Sequence, residues 1–319
     1  MFQPFAGNGG GTKSVTIKPN SSVGDIASLL EKEGIVSNGF FFELRATVSG
    51  KRGSLKPGTY TLREGMSYED TIATLEKGPP PNTVKIAVPE GRSRSEIAKS
   101  ISGLKGDYLK ATKRSAKFDP RDYGAKNARN LEGFLWPATY ELKRGAPVKV
   151  LVDKQLAAFK DTLRLVSMRR AKSKNLTPYE VLVIASLVER ETAVPRERKQ
   201  IASVIYNRLS QNQSLGLDAT VRFILGKWDG ALTQSDLNSN SPYNTRKFKG
   251  LPPGPIGNPG LASIRAAASP ASTHYLFYVA NPCKPGTHTF TTTLAEFNAA
   301  AAKYNAARDA AGGKAPKGC

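Results

Sequence analysis

The stretch Thr177–Thr192, which reads TPYEVLVIASLVERET, decides how the second half of this 319-residue chain folds. Thr177 and, three residues later, Glu180 form a capping-box pattern, and Pro178 suits the first position of a helix. The apolar run VLVIASLV follows, and Pro195 stops the helix soon after it. The stretch therefore predicts a helix that begins at Pro178 and ends before Pro195.

One carboxylate falls on the apolar face of this helix. On a wheel of about 100° per residue, Val181, Ile184 and Leu187 form a stripe with Glu191 in its middle, whereas Glu189 points elsewhere. A carboxylate on an apolar surface loses hydration, which raises its pKa and suits a general acid. The alternative is that the helix is ending, so that Glu191 reaches water or an arginine.

The following helix supplies such an arginine. Arg208 lies on the stripe of Ile201, Val204 and Ile205, which predicts a partly buried guanidinium in a structural salt bridge. If its partner were Glu191, the ion pair would lower the pKa of Glu191 and count against an acid role.

The first third of the chain contains a weak internal repeat. Residues 14–29, 60–75 and 84–101 each read as a short alternating strand, a polar turn and a helix start. The sequence GPPP at 78–81 makes a stiff break between the second and third copies. This pattern predicts a small α+β region. Farther along, the apolar spacing predicts one long basic helix over residues 148–171, and a second capping-box pattern at Thr293 and Glu296 predicts another helix start. The second half is therefore expected to be mainly helical.

The charge balance narrows the kinds of partner. The chain carries 47 Lys+Arg against 26 Asp+Glu, a net charge of +21, which favours a polyanion such as nucleic acid, anionic lipid or an acidic wall polymer. No RNP, zinc-finger or helix-turn-helix pattern is present, which disfavours nucleic acid. The sequence also lacks an apolar run long enough to cross a membrane and the apolar core of a signal peptide.

The motifs that the sequence lacks limit the reactions that the protein could catalyse. Two histidines and two distant cysteines make a metal site improbable, so no metal or cofactor is expected. The chain has no serine nucleophile elbow, phosphate-binding loop, dinucleotide fingerprint or HExxH motif. Glycoside chemistry that uses one or two carboxylates is the reaction class that remains.

The termini read as tails, residues 1–12 as a flexible Gly-rich stalk and residues 312–319 as a basic tail. Cys283 and Cys319 are either two unrelated thiols or a disulfide that pins the tail to the loop around Cys283. Export of the protein to an oxidising compartment would favour the disulfide.

Several long blocks then identify a family. In chain order the sequence resembles the endolytic murein transglycosylases of the YceG-like family, with a LysM-like first third. Together with that first third, the resemblance covers nearly the whole chain. Its matching blocks are residues 55–62 (LKPGTYTL), 131–142 (LEGFLWPATYEL), 182–220 (LVIASLVERETAVPRERKQIASVIYNRLSQNQSLGLDAT), 241–264 (SPYNTRKFKGLPPGPIGNPGLASI) and 269–297 (SPASTHYLFYVANPCKPGTHTFTTTLAEF).

The resemblance implies an α+β fold with a small LysM-like amino-terminal region and a mostly helical catalytic domain. The expected organisation is a LysM-like α+β domain at 13–80, a connecting α/β subdomain at 81–130 and a catalytic domain at 131–311.

The resemblance also implies an activity, namely cleavage inside nascent peptidoglycan strands between N-acetylmuramic acid and N-acetylglucosamine, with closure of a 1,6-anhydro ring. The family's catalytic glutamate falls on Glu191. The family's Gln and Pro are missing from the run Gly216–Thr220 (GLDAT), which puts contacts of that loop in doubt. The expected substrate-binding residues are Tyr243, Asn244, Thr245, Asn207, Asp218 and Thr220, with loop capping as the alternative role for Asn207 and Thr220.

The expected partners are peptidoglycan glycan strands and the cell-wall synthesis machinery, including penicillin-binding proteins. The expected location is the outer face of the cytoplasmic membrane, with a single-pass anchor upstream of residue 1. Two alternatives stay open: a lysozyme-like hydrolase that uses water, and a non-catalytic peptidoglycan-binding module.

Overall fold

The computed structural model describes residues 11–192, 194–316 and 318, which divide into two compact units, residues 1–82 and residues 83–319. Most of the predicted stalk and one cysteine of the predicted disulfide, Cys319, lie outside the described residues. Thr12, placed in the stalk by the sequence analysis, instead begins a strand. In the described part of the chain, no helix is both long and apolar enough to cross a membrane.

The first unit pairs a two-stranded sheet with three helices. Its elements are β1 (Thr12–Ile17), α1 (Val23–Lys32), α2 (Gly39–Val48), β2 (Gly58–Arg63) and α3 (Tyr68–Lys77). The strands are antiparallel, and their alternate side chains, among them Val15 and Tyr60, are buried against the helices. The prediction that this region is LysM-like stays a prediction.

The second unit is mostly helical and carries two further two-stranded antiparallel sheets, one formed by Thr83–Ala87 with Thr139–Lys143 and the other by Phe277–Ala280 with His288–Thr291. Short 3-10 turns lie at Pro120–Tyr123 and Pro195–Glu197. Its other elements are β3 (Thr83–Ala87), α4 (Arg94–Ser100), α5 (Tyr108–Ala111), β4 (Thr139–Lys143), α6 (Val148–Leu163), α7 (Arg169–Lys172), α8 (Pro178–Glu191), α9 (Arg198–Ser210), α10 (Asp218–Leu225), α11 (Gln234–Leu237), α12 (Leu261–Ala268), β5 (Phe277–Ala280), β6 (His288–Thr291) and α13 (Leu294–Ala310).

The three copies of the predicted repeat are present as β1–α1, β2–α3 and β3–α4. Each helix begins with a serine N-cap, Ser22, Ser67 or Ser93, whose hydroxyl accepts a hydrogen bond from the backbone N–H three residues on. The α+β prediction is therefore confirmed. The third copy belongs to the second unit, where residues 86–125 and residues 131–268 contribute to one hydrophobic core.

Helix α8 is the centre of the second unit. Helices α9, α10 and α12 pack against it, and every residue from Val181 to Val188 is buried. The wheel predicted one apolar stripe, but the helix is enclosed on all sides because its neighbours surround it. A single long helix over 148–171 was also predicted, and the structure instead ends α6 at Leu163 and begins α7 at Arg169.

The two units differ sharply in charge. Residues 1–82 contain nine Lys+Arg against eight Asp+Glu, so residues 83–319 hold the remaining 38 Lys+Arg against 18 Asp+Glu. Nearly all of the net charge of +21 therefore belongs to the second unit.

Candidate active site

The candidate catalytic residue, Glu191, is the last residue of α8. The helix begins at a complete capping box, in which Thr177 Oγ1 accepts from the Glu180 N–H at 3.2 Å and the Thr177 N–H donates to Glu180 Oε2 at 2.7 Å. It ends where the Thr192 backbone N–H and hydroxyl both donate to the Val188 carbonyl oxygen. Glu191 is thereby placed at the end of a buried helix while its side chain stays partly accessible to solvent.

Two donors meet the Glu191 carboxyl. The Tyr278 hydroxyl donates to Glu191 Oε2 at 3.0 Å, and the Ala219 backbone N–H donates to the same carboxyl group. Burial raises the pKa of Glu191, and the hydrogen bond from Tyr278 lowers it to a lesser extent. The nearby Asp218 adds to the rise in the pKa of Glu191, while His288 opposes it. The net rise favours a protonated carboxyl that can donate a proton.

Tyr278 lies on β5 and is itself suited to stay a donor. Burial and the neighbouring Glu191 carboxyl raise the pKa of Tyr278 well above its usual value, so the phenol keeps its proton. The sequence analysis missed this residue. Its only local signal is a tyrosine in a short apolar strand, and 87 residues separate it from Glu191.

The start of α10 lies on another side of the Glu191 carboxyl. Asp218, the first residue of this helix, is exposed and forms an ion pair with Arg246, Oδ1 to Nη1 at 2.7 Å. The next N–H, that of Ala219, is a first-turn amide without a helical partner, and it is therefore free to donate to Glu191. Asp218 therefore lies near Glu191, and its contact with substrate stays a prediction.

Three of the expected substrate-binding side chains are instead turned inward. Thr220, Asn244 and Thr245 are almost fully buried. Thr220 Oγ1 donates to the Leu217 carbonyl oxygen at 2.7 Å, and Thr245 Oγ1 accepts from the Leu217 N–H at 3.1 Å. Asn244 Nδ2 donates to two backbone carbonyl oxygens at 2.8 and 2.9 Å. Thr220 and Thr245 hold the start of α10, and Asn244 holds the end of α11. Direct contact with a sugar stays a prediction for all three.

The other two expected binding residues also contact the protein itself. Asn207 Nδ2 donates to the carbonyl oxygens of Thr273 and Tyr275, both at 2.9 Å, and so fixes the segment that leads into β5. This matches the loop-capping alternative. Tyr243 is partly buried, and its ring packs against that of Phe223 with 5.2 Å between centroids.

The predicted salt bridge of Arg208 is replaced by a different arrangement. Its guanidinium donates to the carbonyl oxygens of Leu276 at 2.6 Å and Leu215 at 2.7 Å, and it packs over the ring of Phe277. No carboxylate of the described residues lies within salt-bridge distance of it, so the prediction was wrong. Because Glu191 has no arginine partner of this kind, its pKa is free to rise.

The last turn of α8 is anchored on its other sides. Glu189 Oε2 accepts from the Gly260 backbone N–H at 2.9 Å. Arg190 forms an ion pair with Glu96, and its guanidinium stacks on the ring of Trp228 at 3.4 Å. Three consecutive side chains of this turn are therefore held by three different parts of the second unit.

Within residues 11–192, 194–316 and 318, no group of three or more His, Cys, Asp or Glu side chains is arranged to hold a metal ion. Cys283 lies in the loop between β5 and β6. Because Cys319 lies outside the described residues, the disulfide between the two stays a prediction.

Replacing Glu191 by glutamine tests the raised pKa through stability. Glutamine retains an acceptor for Ala219 and gains a donor toward the Tyr278 oxygen. The contribution of a group with a raised folded-state pKa is complete below its unfolded pKa and is lost as pH rises through the folded value. We therefore expect the Tm of Glu191→Gln minus that of the wild type to be larger at pH 8 than at pH 5. An equal difference at both pH values would mean that the pKa is not raised.

Comparison with known proteins places this geometry in context. A family profile described as the YceG-like family matches residues 15–303. An endolytic murein transglycosylase of Bacillus subtilis (strain 168) is 34% identical over 325 residues, which cover 95% of this chain and 88% of the relative. One from Streptococcus pneumoniae (strain ATCC BAA-255 / R6) is 34% identical over 301 residues, covering 84% of this chain, and the chain spans 54% of that relative.

A solved structure is similar as well. The crystal structure of a yceG-like protein from Listeria monocytogenes superposes with a TM-score of 0.59 at 29% sequence identity. The match covers 91% of this chain and 99% of the other.

Proposed function

The chain belongs to the YceG-like family, and from that membership we propose that it is a lytic transglycosylase acting on peptidoglycan. In finer detail, we propose that it cleaves nascent glycan strands internally, between N-acetylmuramic acid and N-acetylglucosamine, and leaves a 1,6-anhydro end. The relatives named endolytic murein transglycosylase support this reaction class. The observation that carries the proposal is the Glu191 carboxyl with its raised pKa, held between Tyr278 and Ala219.

In the first step, protonated Glu191 donates its proton to the glycosidic oxygen. The bond from C1 of the muramic residue to that oxygen breaks, the electron pair stays with the departing oxygen, and positive charge develops at C1. The carboxylate that forms keeps two hydrogen bonds, from the Tyr278 hydroxyl and the Ala219 N–H. These donors offset part of the cost of a charge in a partly buried position.

In the second step, the Glu191 carboxylate accepts the proton of the muramic 6-hydroxyl while that oxygen bonds to C1. The ring closes without water, and Glu191 is protonated again for the next cycle. One carboxylate serves as acid and then as base, so this mechanism requires no second carboxylate.

A hydrolase is the second candidate, and one observation favours it. Asp218 is exposed and raises the pKa of Glu191, and these two properties support Asp218 as the base for water in a hydrolase. Its ion pair with Arg246 binds one oxygen of the carboxylate and leaves the other available.

The charge of the second unit bears on partners. Its Lys and Arg side chains favour approach to acidic polymers or anionic lipids, which fits a protein that works at the cell wall. We propose a location at the outer face of the cytoplasmic membrane, with penicillin-binding proteins and other synthesis enzymes nearby. These two points rest on the resemblance and the charge alone.

The test is mass spectrometry of uncrosslinked glycan strands digested by the wild-type chain. Internal fragments that end in 1,6-anhydro-muramic acid are the expected products. Products with free reducing ends would make the protein a hydrolase and point to Asp218. Intact strands that nevertheless bind to the protein would support the non-catalytic binding module instead.

A further inference from the structure

We propose that Glu197 and His288 form a positioning pair that holds Tyr278 against Glu191 and so tunes the acid. The geometric part of the proposal is based on the hairpin β5–β6 and the turn after α8. Its kinetic consequences rest on the proposed function. Neither Glu197 nor His288 belongs to the mechanism described above.

The first link joins Glu197 to β6. Glu197 is buried at the end of the turn Pro195–Glu197, and one of its oxygens lies 2.7 Å from His288 Nδ1. Its other oxygen accepts from the His288 backbone N–H at 3.0 Å. One carboxylate thus fixes the strand and the rotation of the imidazole ring together, which a single hydrogen bond would not do.

The second link joins His288 to Tyr278. Ala280 pairs with His288 across the hairpin, so Tyr278, two residues away on β5, lies on the same face as His288. Their rings meet edge to face at 5.2 Å between centroids, with an interplanar angle of 81°. A fixed imidazole therefore limits where the tyrosine ring can lie.

The third link returns to the acid, because the Tyr278 hydroxyl donates to Glu191 Oε2 at 3.0 Å. Glu197 follows Glu191 by only six residues in the sequence. The series of contacts from Glu197 to His288, Tyr278 and Glu191 therefore returns to the segment where it began. A shift of the hairpin would lengthen the hydrogen bond to the acid. The pair prevents that shift by tying the hairpin to the segment directly after α8.

The charge of His288 affects the pKa of Glu191 in the same direction as the contacts described above. The titratable groups that face Glu191 are Tyr278 on β5, His288 on β6 and Asp218 on α10. His288 faces Glu197 and Tyr278, and the cavity of about 450 Å³ beside it is also lined by Arg196 and Lys284. When protonated, His288 favours the Glu191 carboxylate. Removing His288 loosens the hydrogen bond from Tyr278, which raises the pKa of Glu191, and it also removes the favourable interaction that a protonated His288 has with the carboxylate.

The primary experiment is a ¹³C NMR titration of the Glu191 carboxyl, assigned with Glu191→Gln, in the wild type and in His288→Gln. We expect the pKa of Glu191 to rise in His288→Gln. His274→Gln is the matched control, since His274 is the other histidine and is exposed. An unchanged pKa of Glu191 in a folded His288→Gln protein would overturn the proposal. This readout needs no enzymatic activity, so it is independent of whether the proposed function is right.

Kinetics on glycan strands supply the second test. His288→Gln should lower kcat by about tenfold with little change in KM, and should move the alkaline limb of the pH profile upward. Because His288 acts through Tyr278, the double variant His288→Gln/Tyr278→Phe should be no slower than Tyr278→Phe alone. Effects that multiply in the double variant would show that His288 acts independently and would refute the positioning role.

Discussion

Glu191→Gln is expected to lower the rate of glycan-strand cleavage by about a thousandfold or more while the fold remains intact. Glutamine matches the shape of glutamate and can keep contacts with Tyr278 and Ala219, but its amide is not acidic enough to transfer a proton to the leaving oxygen. Both proposed steps pass through this carboxyl, so the variant loses the acid and the base at once. The measurement is the rate of appearance of anhydro ends, with circular dichroism to verify folding.

Two control variants sharpen this result. Glu69→Gln changes an exposed ion pair with Arg45 in the first unit and should leave the rate unchanged, because surface pairs contribute little. Glu189→Gln changes the other glutamate of the same turn, which holds Gly260 and Arg198, and should affect stability more than chemistry. If Glu189→Gln abolished cleavage and Glu191→Gln did not, the assignment of the acid would be wrong.

The largest stability effect is expected from Gly257→Ala, at about 3 kcal/mol of lost unfolding free energy. A Cβ at this position would overlap the carbonyl oxygen of Gly91. The two segments are tied there by the Gly91 N–H to the Asn258 carbonyl oxygen at 2.7 Å and the Asn258 N–H to the Arg92 carbonyl oxygen at 3.0 Å. The backbone cannot yield without breaking these bonds, so the methyl group costs far more than its size suggests.

Chemical denaturation of the full chain measures this loss. Gly53→Ala is the matched control, since a Cβ there meets nothing within 4 Å and the backbone has no positive φ. Equal unfolding free energies for Gly257→Ala and the wild type would mean that the two segments are not packed as closely as described.

Local chemistry in the sequence predicted much of the fold. The capping boxes at Thr177 and Thr293 begin α8 and α13 as expected, because the cap hydrogen bonds involve residues only three positions apart. The end of α6 was misplaced, because the apolar spacing continues past Leu163 although the chain turns there. The burial of α8 on every side depends on helices that approach from elsewhere in the chain, which no local pattern records.

The site was predictable in part for the same reason. Glu191 stands out within one helix, where spacing alone sets the face that a side chain occupies. Tyr278 and His288 reach it through a hairpin whose position depends on tertiary packing. Asn244 and Thr245 are polar residues in a proline-bounded loop, which predicts that they form hydrogen bonds. The pattern does not show whether the partner is a sugar or the protein backbone, and in the structure it is the backbone.

The anchoring of the last turn of α8 has a consequence for the proposed cleavage of glycan strands. Helix ends are ordinarily the parts that fray, yet here the side chains of Glu189, Arg190 and Glu191 each hold a separate partner. The proposed acid, Glu191, is therefore preorganised in the free protein, and substrate binding need not supply the entropy of ordering it. In the proposed reaction, strands of different length or decoration would then be accommodated by the surrounding loops while Glu191 stays in place.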